Sequence, residues 1–77
     1  MKYDEHFIEY CQRLGKHIQK LREEKNMTID EISSKTGIRG EYIRKIEQGT
    51  AYGVKLENHL LIISNVLNIK LSDLFDF

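Results

Sequence analysis

Arg39, Arg44 and Lys45 lie close together in the stretch SKTGIRGEYIRKIEQG, Ser34 to Gly49, which also holds Lys35. Arginine presents a planar fork of donors and lysine a mobile point charge, so the trio suits an anionic oxygen or an acceptor-bearing edge. Three of the five glycines, Gly37, Gly40 and Gly49, lie in the same stretch, and the chain has no proline. A chain that breaks at Gly37, restarts within three residues and stops at Gly49 holds one short helix in a fixed attitude. The cations ride on that helix.

No other cluster offers chemistry of its own. His6, His17 and His59 are far apart in sequence, and none has a metal-ligand partner at helical i, i+4 spacing. No nucleophile motif or phosphate loop is present, so neither an enzyme, a metal nor a cofactor is expected. Cys11 is the only cysteine and lies on an apolar stripe, which makes it a core residue in a chain suited to a reducing compartment. The N-terminus shows no apolar run after a basic stretch, and no segment approaches the roughly 18 apolar residues of a membrane span. Asn26-Met27-Thr28 fits a glycosylation sequon, a coincidence where no secretion signal precedes it. The expectation is a cytoplasmic protein with no membrane partner.

The 77 residues have room for one domain, 1–77, with a small core. Net charge is zero, but its distribution is uneven. Gln12 to Lys55 holds ten cations and six acids, and the two ends together hold two cations and six acids. A basic middle between acidic ends is a mild sign of a phosphate-facing surface, and it is also common on solvated helices.

Hydrophobic spacing supplies the elements that carry these charges. Phe7, Cys11, Leu14, Ile18 and Leu21 recur at steps of four and three, which predicts a helix from Asp4 to Lys25 ended by Asn26. Thr28 with Glu31 forms a capping-box signature, Met27 and Ile32 a hydrophobic staple, and the second helix runs from about Ile29 to Lys35. Gly37 ends it and Ile38 anchors the connection. Ile43 and Ile46 give the inward face of a third helix, Gly40 to Gln48. Thr50 to Lys55 reads as loop, Leu56 to Leu67 as a fourth helix, and Leu71 to Phe75 as a short fifth. The fold class is all-α.

Two short helices joined by a glycine-containing turn make a helix-turn-helix, whose second helix stands crosswise and can enter a major groove about 12 Å wide. LGKHIQKLREEKNMTIDEISSKTGIRGEYIRKIEQG, Leu14 to Gly49, resembles the Cro/repressor-type (XRE) helix-turn-helix domain. LLIISNVLNIKLSDLF resembles that family's last two helices. The resemblance covers Leu14 to Phe75. It rests on the ordered set L-G-K, L-R, T-x-x-E, G-I, Y-I-x-x-I-E-x-G and L-S-D-L-F rather than on any single element. It implies a five-helix lambda-repressor-like bundle, with residues 1–13 extending the first helix beyond the family's usual start.

The same resemblance implies a set of site residues. Base reading falls to Gly40, Glu41, Arg44 and Lys45 early in the third helix. The amides of Thr28 and Ile29 are implied to hold a phosphate, and Thr50, Tyr52 and Lys55 to touch the DNA backbone. Arg22 and Glu47 correspond to a structural ion pair. Several positions depart from the family pattern. Ile29 stands where glutamine is frequent, Arg39 where a small cap is usual, and Gly40 has no side chain to offer a base. Arg39 is open to a phosphate or guanine contact or to plain solvation. Glu41 could accept from cytosine N4 or simply be an exposed acid.

The functional expectation is a sequence-specific regulator binding double-stranded DNA as a homodimer, without a separate effector domain. Controller proteins of restriction–modification systems, antitoxins and small phage repressors of this family are of similar length. The competing expectation is an interaction module of the same fold that has lost DNA binding, in keeping with zero net charge, Ile29, Gly40 and Glu41. For the dimer, the resemblance points to Ile62, Leu71, Phe75 and Phe77, with Leu74 assigned to the core. Tyr3, Phe7, Tyr10 and Cys11 offer a rival surface on the N-terminal helix.

Overall fold

The computed structural model describes residues 4–52 and 55–77, Lys55 by its backbone alone. Tyr3 and the Lys55 side chain therefore lie outside the described residues. Among the described residues, four α-helices and one 3-10 helix follow in order: α1 Glu5–Glu24, α2 Ile29–Thr36, α3 Gly40–Gln48, α4 Lys55–Leu67 and the 3-10 helix Leu71–Phe75.

Each boundary has a local cause. Asp4 caps α1 by accepting the Phe7 amide at 2.8 Å, and Asn26, with φ 56°, turns the chain after it. Thr28 and Glu31 exchange bonds of 3.0 and 3.1 Å in a complete capping box at the start of α2. Gly37 and Gly49 end α2 and α3 in the left-handed region, at φ 78° and 77°. Asn68, at φ 58°, does the same for α4. Lys55, read from sequence as loop, opens α4 instead.

The fifth element also differs from its expectation in kind, though not in extent. It is a 3-10 helix, because five residues leave little room for α-type bonds and the i→i+3 bond from the Asp73 amide to the Lys70 carbonyl (2.9 Å) closes the turn. The Asp73 carboxylate also accepts the Lys70 amide at 3.0 Å. Leu74 locks the turn by full burial, and His17 Nε2 lies 2.8 Å from the Asp73 carbonyl oxygen, joining it to α1.

One apolar cluster runs through every helix. Leu14 and Ile18 of α1 meet Ile32 of α2, Ile43 and Ile46 of α3, and Leu60, Ile63 and Leu67 of α4, with Ile38, Ala51 and Leu74 closing the gaps. Ser64 is buried among them and satisfied, its hydroxyl donating to the Leu61 carbonyl at 2.7 Å. Burial pushes the Cys11 thiol up, so it remains a neutral, unreactive wall residue.

The tightest approach is between α1 and the C-terminal end of α3. A Cβ at Gly15 would overlap the carbonyl oxygens of Ile46 and Glu47, and a Cβ at Gly49 would overlap the Gln12 backbone. Arg22 and Glu47 bridge the same contact with paired bonds, Nε to Oε2 at 2.6 Å and Nη2 to Oε1 at 3.0 Å. Arg22 Nη1 donates to the Met27 carbonyl at 2.9 Å, which ties in the α1–α2 connection. The Glu47 hydrogen bond holds the Arg22 guanidinium above its ordinary value, against the opposing pull of burial. A raised value keeps the cation charged at every pH below the guanidinium range, so neither neutral nor mildly alkaline pH weakens the pair.

With side-chain exposures of 11% and 7%, removing one partner strands a shielded charge. Glu47→Ala should therefore cost about 3–5 kcal/mol and lower the melting temperature by at least about 10 °C. Thermal denaturation followed by circular dichroism checks this. A variant melting within two or three degrees of the parent, on the order of 0.5 kcal/mol, would mean that the pair does not hold the fold.

Candidate nucleic-acid interface

The turn between α2 and α3 is braced by side chains rather than left loose. The Thr36 hydroxyl donates to the Ile32 carbonyl at 2.7 Å and accepts the Ile38 amide at 3.0 Å. Ser33 Oγ donates to the Ile38 carbonyl at 2.6 Å. Ile38 is buried between them. The sequence alone did not show this bonding. Its readable signal is a hydroxyl two residues before the anchor.

The turn fixes α3 so that Ile43 and Ile46 face the core while Arg39, Glu41, Arg44, Lys45 and Gln48 are exposed. Arg39 occupies the cap position without a side-chain cap bond, as expected of arginine there. Gly40 is half-buried, and a Cβ on it would stand 3.4 Å from Ile29 Cγ2, an ordinary contact. The start of α3 thus lies against the start of α2, which places Gly40, Ile29 and Thr28 in one neighbourhood. Arg44 joins them, lining a shallow cleft of about 290 Å³ with Arg22, Thr28, Ile29 and Asp30.

Thr28 is less available than its sequence position suggests. Its amide already donates to Glu31 and its hydroxyl accepts from Glu31, which leaves the Ile29 and Asp30 amides as the unbonded donors of the first turn. Thr50 is similarly engaged: its amide and its hydroxyl both donate to the Lys45 carbonyl, at 2.9 and 3.2 Å, pinning the chain just after α3. Tyr52 turns toward α1, where its half-buried ring stands 5.7 Å from that of Phe7.

Away from this face the molecule carries an apolar groove of about 390 Å³, walled by Phe7, Tyr10, Cys11 and Leu14 of α1, Leu56 and Leu60 of α4, and Leu71 and Phe75 of the 3-10 helix. Phe7 and Phe75 remain 39% and 40% exposed on its rim. Ile62 and Leu71 are half-buried and pack against the core. Phe77 folds back on α1, 5.2 Å from the Tyr10 ring and 5.6 Å from His17, with Arg13 stacked over it at 5.4 Å. Nothing in the spacing of the sequence signalled that return.

The three histidines are dispersed: His6 is exposed, His17 meets Asp73, and His59 meets the edge of Tyr42 at 4.7 Å. Among the described residues no three His, Cys, Asp or Glu side chains gather as a metal would require, and no helix is long and apolar enough to cross a membrane.

No curated protein and no solved structure matches the chain significantly. A family model described as a helix-turn-helix domain does match, over residues 15–76. That span takes in the clamp at Gly15, the braced turn, α3 with its exposed cations, α4 and the 3-10 helix, and the chain belongs to the helix-turn-helix domain family.

Proposed function

We propose that this protein is a sequence-specific DNA-binding transcriptional regulator of lambda-repressor-like architecture. In this reading it works in the cytoplasm as a repressor or autoregulator, with a dimer bound to a palindromic operator. The observation that carries the reading is the division of α3. Its inward side chains and its last residues are locked to α1, while Arg39, Glu41, Arg44 and Lys45 are all exposed. An α-helix with its side chains is about 10–12 Å across, a diameter that a major groove about 12 Å wide accommodates.

Arg44 and Lys45 supply donors for guanine or phosphate, and Glu41 an acceptor for cytosine N4. In this reading Arg39, at the amino end of α3, and the Ile29 amide, at that of α2, take backbone phosphates on either side. Thr50 and Tyr52 contribute by fixing the chain after α3, and the backbone contact assigned to Lys55 belongs to the same flank.

A single module of this size buries about 600–1,000 Å² on DNA, too little for selective binding among many competing sites. Two copies on half-sites about 34 Å apart meet the need. The two candidate dimer surfaces converge in the fold, because Phe7, Tyr10 and Cys11 share one groove with Leu71 and Phe75, and Phe77 lies on Tyr10. Exposed aromatics concentrated on one face suit an interface between copies.

A second reading, an interaction module without DNA binding, draws on one observation. The side chains of the interface are nearly balanced in charge, with Arg39, Arg44 and Lys45 set against Asp30, Glu31 and Glu41. Steep salt dependence of duplex binding favours the first reading, and its absence favours the second.

Selection of bound duplexes from a random pool tests the function directly and should return an inverted repeat. Arg44→Ala and Lys45→Ala should then each weaken binding to the selected duplex. A lost base contact costs about 1–3 kcal/mol and relaxes preference at one position, whereas a lost phosphate contact lowers the salt slope by about one. A double variant unchanged in affinity and slope would remove α3 from the interface. Sedimentation equilibrium should show a dimer that Phe75→Glu converts to monomer, and a dimer indifferent to this change would lie elsewhere.

A further inference from the structure

Two recesses on the surface of α4 and the 3-10 helix share a wall. The larger is the apolar groove of about 390 Å³, bounded here by Phe7, Leu56, Glu57, Leu60, Leu71 and Phe75. The smaller, of about 250 Å³, lies among Glu57, Asn58, Leu61 and Leu71. Glu57 and Leu71 line both, so they form the ridge between them. Beyond that ridge stands Leu61, which at 45% exposure is the most exposed large aliphatic side chain among the described residues. Its neighbour Ile62, the residue to which the family resemblance points, is half-buried against the core instead.

A projection and a recess on opposite sides of one ridge make a surface that fits itself. A twofold interface brings the same patch of each copy together, so what projects on one side of the axis must be received on the other. With the axis through the Glu57–Leu71 ridge, Leu61 of each copy meets the groove of the other, between Phe7 and Phe75. The exposed rims of both recesses are then covered at once. Among the described residues no lysine or arginine lines either recess, and Glu57 is the one charged side chain there. That lining suits an apolar protein surface and turns away phosphate.

We infer that Leu61 is the side chain that joins two copies of this chain, seated in the apolar groove of the second copy with the twofold axis beside Glu57. The inference rests on the dimer reading above and names its contact. It carries a consequence of definite sign. An axis beside Glu57 brings two exposed carboxylates toward each other, and their repulsion opposes pairing until salt screens it. The dimer therefore tightens as salt rises, whereas duplex binding weakens.

Sedimentation equilibrium without DNA, over a series of protein and salt concentrations, tests this on the parent and on single variants. Leu61→Ala should raise the dimer dissociation constant about five- to thirtyfold, and Leu61→Glu should leave monomer. Glu57→Gln should tighten the dimer about two- to fivefold at low salt and remove most of its salt response. Glu24→Gln makes the same change in net charge at an exposed site in the last turn of α1 and should match the parent. Circular dichroism spectra confirm that each variant is helical. A dimer that Phe75→Glu dissociates but both Leu61 variants leave intact would overturn the inference and keep the groove as the interface. So would a salt response that Glu57→Gln leaves unchanged. A parent that is monomeric throughout, or a dimer indifferent to Phe75→Glu and to the Leu61 variants alike, would overturn the groove dimer together with the inference.

Discussion

The attitude of α3 depends on the contact between α1 and the carboxyl end of that helix. Gly15 lets the backbone of α1 come against the Ile46 and Glu47 carbonyls, Gly49 lets the chain leave α3 beside Gln12, and Arg22 grips Glu47 from the next turns of α1. A buried ion pair of this kind is not simply a source of stability, since apolar substitutes of similar volume often serve as well. What it adds here is geometry. Its two parallel bonds and a third bond to the Met27 carbonyl join the end of α3 to the connection that starts α2. Both helices of the motif are therefore referred to the same arginine.

From that fixed end, α3 divides its residues by face. Burial of Ile43 and Ile46 leaves the arginine and lysine between them exposed. The turn at the other end is held by Ser33, Thr36 and Ile38, so α3 is restrained at both termini. Such restraint matters more than charge in this molecule. Its net charge is zero and the acids of the α2 and α3 first turns offset the three cations. Binding that cannot lean on general attraction to phosphate must draw on positioned contacts, which ordered helices provide with little entropy left to lose.

Most of this was legible in the sequence because the signals were local. Thr28 with Glu31, Gly37, Gly49 and Asn26 each specify a cap or stop through their own chemistry, and the observed boundaries follow them closely. The last helix was visible as a segment but not as a 3-10 turn, since five residues cannot reveal their bonding pattern by periodicity. Long-range features were harder to read. Gly15, a glycine inside an apolar-periodic helix, carries the general sign of a close approach without naming what approaches. The return of Phe77 to Tyr10 and Arg13 leaves no mark in spacing. Within the candidate interface, the cations stood out by type, whereas the nearness of Asp30 to Gly40 left no mark in the sequence, because it arises from how two helices pack.

The central claim is that the clamped α3 is the surface that meets DNA. Amide chemical-shift mapping, by nuclear magnetic resonance on the labelled protein titrated with the selected duplex, addresses it most directly. The account predicts the largest shifts at Ile29, Asp30, Arg39 to Lys45 and Thr50, with the Phe7–Phe75 groove little changed by DNA. Shifts centred on that groove, with α3 undisturbed, would contradict it.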